Sequence, residues 1–376
     1  MPINTGLADV SNDFLLAAVV IYALAMLAYA CDFAFGRQQA RVTSRAPAPA
    51  LVGAASAEAG AGTAEAGAGI QAEAATGAPA GAGAGPGARA EVTGGGSAAA
   101  GRDSAGRDSA GPDRVGRWVT IAVALTCAGL AAHTTGVVLR GLSVHRLPWG
   151  DMYEFVTALT CVAVAFFLAV MIRYRAYYLG LFVMVAVVLV LGLAETVIYT
   201  PAGPLVPALQ SYWLAIHVTA MTLATGVFFV AAVIGITYLF VDRYARRVAA
   251  GRPVGSDGIL RRLPGSETLD RLAYRTVVFG FPIWTFGVMA GAIWADRAWG
   301  SYWSWDPTET WAFITWVVYA CFLHARATAG WRGRRAAVIQ LTAFCCLLFN
   351  VLVVSLIIPG QHSYAGLHSY GGLPNR

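Results

Sequence analysis

The sequence predicts an all-α fold: a polytopic membrane helix bundle of about eight transmembrane helices with a tryptophan-rich loop on its outer face. The 376 residues are 57% hydrophobic and only 12% charged, whereas soluble domains carry about 25% charged residues. Most apolar residues are gathered in long runs, and a helix needs about 20 such residues to cross a bilayer. Arginines are concentrated in alternate connections between these runs.

Eight apolar runs are predicted to be transmembrane helices. They cover 14–35, 117–139, 153–172, 177–198, 213–241, 276–294, 310–328 and 336–358. No small-residue cleavage site follows the first run, so we expect residues 1–36 to hold a retained transmembrane helix. Residues 117–359 form the predicted core, which contains the tryptophan-rich segment 294–311, and residues 360–376 form an outer tail.

An Ala/Gly-rich tract separates the first run from the second. Residues 37–116 contain AGAGTAEAGAG and the near-repeat AGRDSAGRDSAG, and they include no aromatic residue. Such a composition cannot bury enough apolar surface to offset the entropy of ordering the chain. We therefore expect a disordered cytoplasmic tether without chemistry of its own.

The placement of arginine predicts the orientation in the plasma (cytoplasmic) membrane. Arginines are frequent in the tether and in the connections at 173–175, 243–275 and 332–335. By the positive-inside rule these connections are cytoplasmic, which leaves the N- and C-termini outside. Because the basic residues lie in short connecting loops of a chain embedded in the lipid bilayer, we do not expect nucleic acid as a partner.

The segment WGSYWSWDPTETW, residues 299–311, is unusually rich in aromatic residues. An interfacial aromatic belt accounts for one or two tryptophans at a helix end. Four tryptophans in one short outer loop equally favour a flat apolar surface for a large planar ligand. Within the segment, Asp306, Pro307 and Glu309 have the order of a capping box that starts a helix. A catalytic carboxylate pair is the alternative interpretation of Asp306 and Glu309.

The stretch WGSYWSWDPTETWAFITWVVYACFLHAR closely resembles the WWD signature of the haem-handling proteins of cytochrome c biogenesis (System II). The resemblance is strongest to the CcsA/ResC branch, called CcsB in some actinobacterial naming. Three further stretches are similar to family segments: RGLSVHRLPWGDMYEF, LQSYWLAIHV and PGQHSYAGLHSYG. The resemblance covers about 118–371, and Thr308 departs from it because the family commonly has Lys there.

The resemblance implies the membrane subunit of a cytochrome c haem lyase, or holocytochrome c synthase. Such a subunit takes haem b from the inner side to an outer site, where the thiols of an apocytochrome c CxxCH motif form thioethers with it. The implied partners are a CcsB/ResB-like membrane subunit and, because the six cysteines form no CxxC, a thiol-reducing thioredoxin-like protein. One alternative is a CcmC-like haem exporter or delivery chaperone that forms no bond. Another is a structural or sensor protein whose tryptophans form only a belt.

Two histidines are predicted to be axial ligands of the outer haem iron, and the resemblance supports both. Imidazole is a common axial ligand, and two ligands of one iron must lie at nearly the same depth. His217 lies just under the outer interface and His362 lies in the outward tail; His368, in a second HSY element, is the alternative to His362. The remaining residues assigned to this site are Trp299, Trp303, Trp305, Asp306 and Trp311.

His324 is predicted to bind an inner haem, because the resemblance implies a second haem site, loaded from the inner side, at the matching Leu-His pair. It lies about 15 residues along a helix that descends from the outside, which places it about 22 Å deep at 1.5 Å per residue. His133 lies in the outer third, about 14 Å away in depth on the same arithmetic, so the two should not share one iron. We expect the second ligand of His324 to come from another chain, while His133, the possible alternate, and His145 are structural or pore-lining.

Overall fold

The structure is a computed structural model that describes residues 3–35, 116–203, 211–252 and 259–362. Over these ranges the chain forms helices joined by turns and loops, without a strand, which confirms the predicted all-α fold. The predicted tether and the part of the tail that contains His368 lie outside the described residues.

Eight long helices follow one another along the chain. They are α1 (Thr5–Phe35), α2 (Arg117–Ser143), α3 (Met152–Tyr174), α4 (Gly180–Leu193), α5 (Tyr212–Ala249), α6 (Ser266–Trp299), α7 (Pro307–Ala327) and α8 (Arg334–Phe349). The turn Tyr177–Leu179 precedes α4. Single π-helical turns, Ala194–Ile198 and Asn350–Val354, extend α4 and α8, and the second leads into the short helix Ser355–Ile357.

Seven candidate membrane spans in the described residues are long and apolar enough to cross a membrane, and α7 is not among them. Its 21 residues match a span in length, but His324, Arg326 and its threonines lower its mean hydropathy. It completes the bundle as the eighth long helix. The sixth predicted run ends at 294, whereas α6 continues to Trp299 because residues 295–299 include neither Gly nor Pro, and Gly300, with a φ of +75°, ends the helix.

The helices alternate in direction, so the bundle has two distinct ends. At the tryptophan end, which contains the α6–α7 connection, Arg146 donates to the Gly203 carbonyl oxygen across two loops. At the arginine end, which contains the α5–α6 and α7–α8 connections, Arg326 pairs with Asp270 at 2.8 Å and joins α7 to α6. The start of α1 and the end of α8 both lie at the tryptophan end.

Helix α5 is the centre of the bundle. In its most apolar stretch 83% of the residues are buried, against 61% or less in the other six candidate spans. One side of α5 contributes Val230 and Ile234 to a core shared with α1, α3 and α4. The other contributes Ala224 and Phe228 to a core shared with α6, α7 and α8. The middle of α5 is therefore held between the two halves of the bundle.

Candidate functional site

His217 lies near the start of α5 and is fixed by α6. Its Nδ1 is 2.7 Å from the Gly287 carbonyl oxygen, an acceptor that requires Nδ1 to carry the proton. The tautomer therefore leaves the lone pair of Nε2 for a ligand. The imidazole lies nearly parallel to the indole of Trp294, with ring centroids 6.3 Å apart and planes 13° from parallel.

Two glycines of α6 make room for this arrangement. A Cβ added at Gly291 would lie 2.6 Å from Nδ1 of His217, and one added at Gly287 would lie 2.6 Å from Sδ of Met221. The glycines are four residues apart and face α5, as in the small-xxx-small pattern that lets two membrane helices approach closely. His217 occupies its position because α6 has no side chain there.

Asp306 starts α7 as the sequence predicted. Its side chain accepts from the Thr308 N–H, and the carboxylate of Glu309 accepts from the Asp306 N–H, so the capping box is confirmed. Glu309 also accepts from the Ser304 N–H at 2.9 Å, which draws the preceding loop onto the helix start. Both carboxylates thus have a structural role.

The same Asp306 carboxylate holds the tail. Oδ1 accepts from the Gln361 N–H at 2.7 Å, and Oδ2 is 3.1 Å from Nδ1 of His362. A Cβ at Gly360 would lie 2.5 Å from Oδ1, so only glycine lets the tail approach this closely. Burial opposes the charged form of Asp306, but the hydrogen bonds from His362, Gln361 and Thr308 outweigh it and lower the pKa of the carboxyl below its usual value.

His217 and His362 both contact the indole of Trp294. The ring of His362 is 5.6 Å from that of Trp294 and 4.8 Å from that of Trp299, edge-on to both. Trp294 is 3% exposed, and its N–H has no hydrogen-bond partner among the described residues. Both imidazoles are anchored through Nδ1 and have Nε2 available, which is the arrangement expected of histidines that ligate a metal.

The other tryptophans of the segment lie in two further places. Trp303 and Trp305 are in edge-to-face contact at 5.7 Å, and both contact Phe313 of α7. Trp305 is 67% exposed and has a φ of +58°, a conformation rare outside glycine. Trp311 packs against Phe349 of α8 at 4.4 Å. The segment is thus divided between the histidine site, an exposed aromatic surface and a helix contact.

The remaining described histidines lie elsewhere. His324 is exposed in the last turn of α7, at the arginine end. His133 of α2 is fully buried, and its Nδ1 is 3.4 Å from the Tyr22 hydroxyl. His145 is exposed in the α2–α3 connection. Because α2 packs on α1 and α3 while α7 packs on α8 and α6, His133 and His324 lie in different parts of the bundle.

A cluster of buried charged side chains joins the loops at the tryptophan end. Arg140, 2% exposed, donates to Glu154 at 3.1 Å, and Arg146 pairs with Glu154 at 2.7 Å. Arg140 also donates to the Thr200 carbonyl oxygen, which ties the α2–α3 connection to the chain after α4. Burial and the neighbouring Glu154 raise the pKa of Asp151 to about 6. Protonation of Asp151 reduces the negative charge that two arginines must balance.

The sequence predicted the candidate ligands but not the residues that position them. Trp294 was only the boundary of the predicted segment, and Gly287, Gly291 and Gly360 were not singled out. The spacing of the two glycines in GVMAG was a usable signal for a close helix contact. The partner of that contact is in α5, 70 residues earlier in the chain, and no local pattern identifies it.

The chain is similar in sequence to known proteins. A family model described as "Cytochrome C assembly protein" matches residues 149–362. The chain is 32% identical over 294 residues to the cytochrome c biogenesis protein CcsA of Gloeobacter violaceus, with 66% of this chain and 87% of that protein covered. It is 35% identical over 255 residues to CcsA of Guillardia theta, with coverages of 64% and 84%. A solved structure of Cytochrome c Heme Lyase CcmF aligns with a TM-score of 0.47 at 19% identity, covering 64% of this chain and 42% of that chain.

Proposed function

The chain belongs to the cytochrome c assembly protein family and is a membrane protein of CcsA-type cytochrome c biogenesis; from this we propose that it binds haem b between His217 and His362 for attachment to apocytochrome c. The proposal is supported by one observation: both imidazoles are held by a hydrogen bond at Nδ1. His217 is bonded through Nδ1 to Gly287 and His362 through Nδ1 to Asp306. Both Nε2 atoms are then free to serve as the axial ligands of one iron.

Positioning is the main contribution of the chain to the reaction. Thioether formation adds each S–H of the CxxCH motif across a haem vinyl group, with no net oxidation or reduction. The nucleophiles belong to the apocytochrome, so this chain supplies orientation. His217 and His362 fix the iron, and Trp294 and Trp299 contact the two imidazoles. Trp305 is 67% exposed and contacts the half-buried Trp303. A thioredoxin-like partner keeps the substrate thiols reduced.

We place the tryptophan end outside the plasma membrane and the arginine end in the cytoplasm. The basis is the positive-inside rule, since the connections at 243–275 and 332–335 carry eleven arginines, whereas the loops at the tryptophan end have few, with Arg140, Arg146 and Arg297 nearby. Both chain termini are then outside. Cysteine-labelling from the outside should modify a cysteine placed at Ser301 and should not modify one placed at Arg332; the reverse pattern contradicts the assignment.

His324 is proposed as the inner haem ligand. It is exposed on α7 at the arginine end, far from the outer histidines, and an ionisable side chain in such a helix is a functional candidate. No other histidine of the described residues contacts His324. We therefore propose that a CcsB/ResB-like subunit supplies the second ligand of the iron. Haem held here then moves to the outer site.

The test is cytochrome maturation by the chain co-expressed with its partner and a CxxCH substrate. His217→Ala should abolish the thioether-linked product, and added imidazole should restore part of it by filling the vacated position. His145→Asn is the matched control, because His145 is an exposed histidine at the same end, and it should mature cytochrome normally. Normal maturation by His217→Ala without imidazole contradicts the ligand assignment. Haem binding without any thioether product would identify a delivery chaperone instead.

A further inference from the structure

A cavity at the arginine end lies between the end of α5 and the start of α8. Its volume is about 590 Å³. Its polar wall consists of arginines that come from two helices and the turn after α5: Arg243, Arg246, Arg247, Arg252 and Arg334. The positive-inside rule explains why arginines are frequent at this end. It does not explain why side chains some 90 residues apart in the sequence converge on one concave site.

The cavity carries excess positive charge. Arg246 pairs with Asp242 one turn away at 2.8 Å. No carboxylate of the described residues lies within ion-pair distance of Arg243, Arg247 or Arg334. The arginines at the end of α5 interact favourably with the helix dipole, but no acceptor among the described residues is bonded to the guanidinium N–H groups of Arg243 or Arg247. The site therefore fits an anion with several oxygen atoms.

The other wall of the cavity is apolar. Leu239 lies one turn before Arg243 along α5, and Val338 lies one turn after Arg334 along α8. Both positions are further from the helix ends, and thus deeper in the bilayer, than the arginines. Val338 is 49% exposed. A ligand that fills the cavity must place its charge at the helix ends and hydrocarbon along the helices.

We propose that this cavity binds the headgroup of an anionic phospholipid. Guanidinium groups bind phosphate oxygens in bidentate geometry, and basic pockets between membrane helices at the cytoplasmic face are suited to anionic headgroups. The acyl chains lie along Leu239 and Val338. The bound lipid joins α5, whose other end carries His217, to α8, whose other end leads into His362. The proposal does not rest on the haem assignment.

The experiment measures lipid retained by the purified full-length chain in native mass spectrometry. Phosphatidylglycerol and phosphatidylcholine are supplied at equal concentration. The wild type should retain phosphatidylglycerol in preference, and Arg247→Gln/Arg334→Gln should lower that retention at least about tenfold, because charge-assisted hydrogen bonds are the strong ones. The control Arg261→Gln/Arg271→Gln removes the same charge at the same end and lines no part of the cavity, so it should behave as the wild type.

A melting experiment covers the case of a poorly folded variant. Wild type and control in phosphatidylcholine nanodiscs should melt at a higher temperature once phosphatidylglycerol is included, and Arg247→Gln/Arg334→Gln should not. Equal loss of phosphatidylglycerol in both double variants overturns the proposal, since general charge would explain it. Equal retention of the two lipids by the wild type overturns it as well. Unchanged lipid retention with lower haem content in Arg247→Gln/Arg334→Gln would assign the cavity to haem carboxylates.

Discussion

At the scale of single residues, the proposed site depends on positions where a side chain is absent as much as on His217 and His362. Gly291→Ala should displace His217, because the new Cβ would lie 2.6 Å from Nδ1, and overpacking of this kind costs about 1–3 kcal/mol. We expect haem content of the purified protein to fall several-fold while expression is retained. The control is Gly192→Ala, since nothing lies within 4 Å of a Cβ there. Equal haem content in the two variants would contradict this role of Gly291.

Asp306 provides a second residue-scale prediction. Asp306→Asn keeps a good N-cap for α7 but removes the negative charge that holds Nδ1 of His362 and the Gln361 N–H. Loss of a partner of this kind costs about 10–100-fold in metal affinity or activity. Haem titration should therefore show weaker binding with a nearly unchanged melting temperature. A lowered melting temperature with unchanged haem affinity would mean that Asp306 acts only as a helix cap.

The candidate ligands could be predicted from the sequence, whereas several of the residues that position them could not. His217, His362 and Asp306 lie in recognisable motifs, so they were found before the structure. Trp294 was not, because an isolated tryptophan in an apolar run has the same local signature whether it faces lipid or a histidine. Trp311 was predicted to join the ligand surface, and its contact with Phe349 depends on how α7 and α8 pack.

At the scale of elements, the first residues of the tail are held at the start of α7. Gly360 and Gln361 approach Asp306, and this places His362 against Trp299. His362→Ala should therefore abolish cytochrome maturation, and His368→Ala should be close to wild type in the same assay. The opposite pattern would assign the ligand to the second HSY element. Normal maturation by both single variants would show that neither histidine is indispensable as a ligand.

The helices themselves were predictable because bilayer thickness dictates the length of an apolar run. All eight predicted runs correspond to long helices, while their ends differ by several residues. The end of α6 is the informative case: its last turn brings Trp299 onto a helix rather than a loop. Helix ends are set by caps such as Gly300 and Asp306, and apolar periodicity does not report them.

At the scale of the whole molecule, α5 connects the two halves of the bundle, and the two ends have different chemistry. His324 at the arginine end is proposed to load haem before His217 at the tryptophan end. His324→Ala should then lower haem at both sites, whereas His217→Ala should spare the inner one, as measured by pyridine haemochrome content of the complex with its partner. Full outer-site loading in His324→Ala would show that haem reaches the outer site by another route.

The pairing of helices in the bundle could not be derived from the sequence. Each apolar run is long enough to pack on any other, and the choice of α6 as the neighbour of α5 follows from side-chain fit, with the glycine face of α6 against His217 and Met221. That choice creates the histidine site. The proposal that His217 and His362 ligate one iron therefore depends on tertiary structure.

The most direct measurement is the optical and electron paramagnetic resonance spectrum of the purified chain with haem bound at the outer site. We predict a six-coordinate, low-spin bis-imidazole signal in the wild type. His217→Ala and His362→Ala should each convert it to a high-spin form, and added imidazole should restore the low-spin signal in both. An unchanged low-spin bis-imidazole spectrum in either single variant, without added imidazole, would contradict the claim.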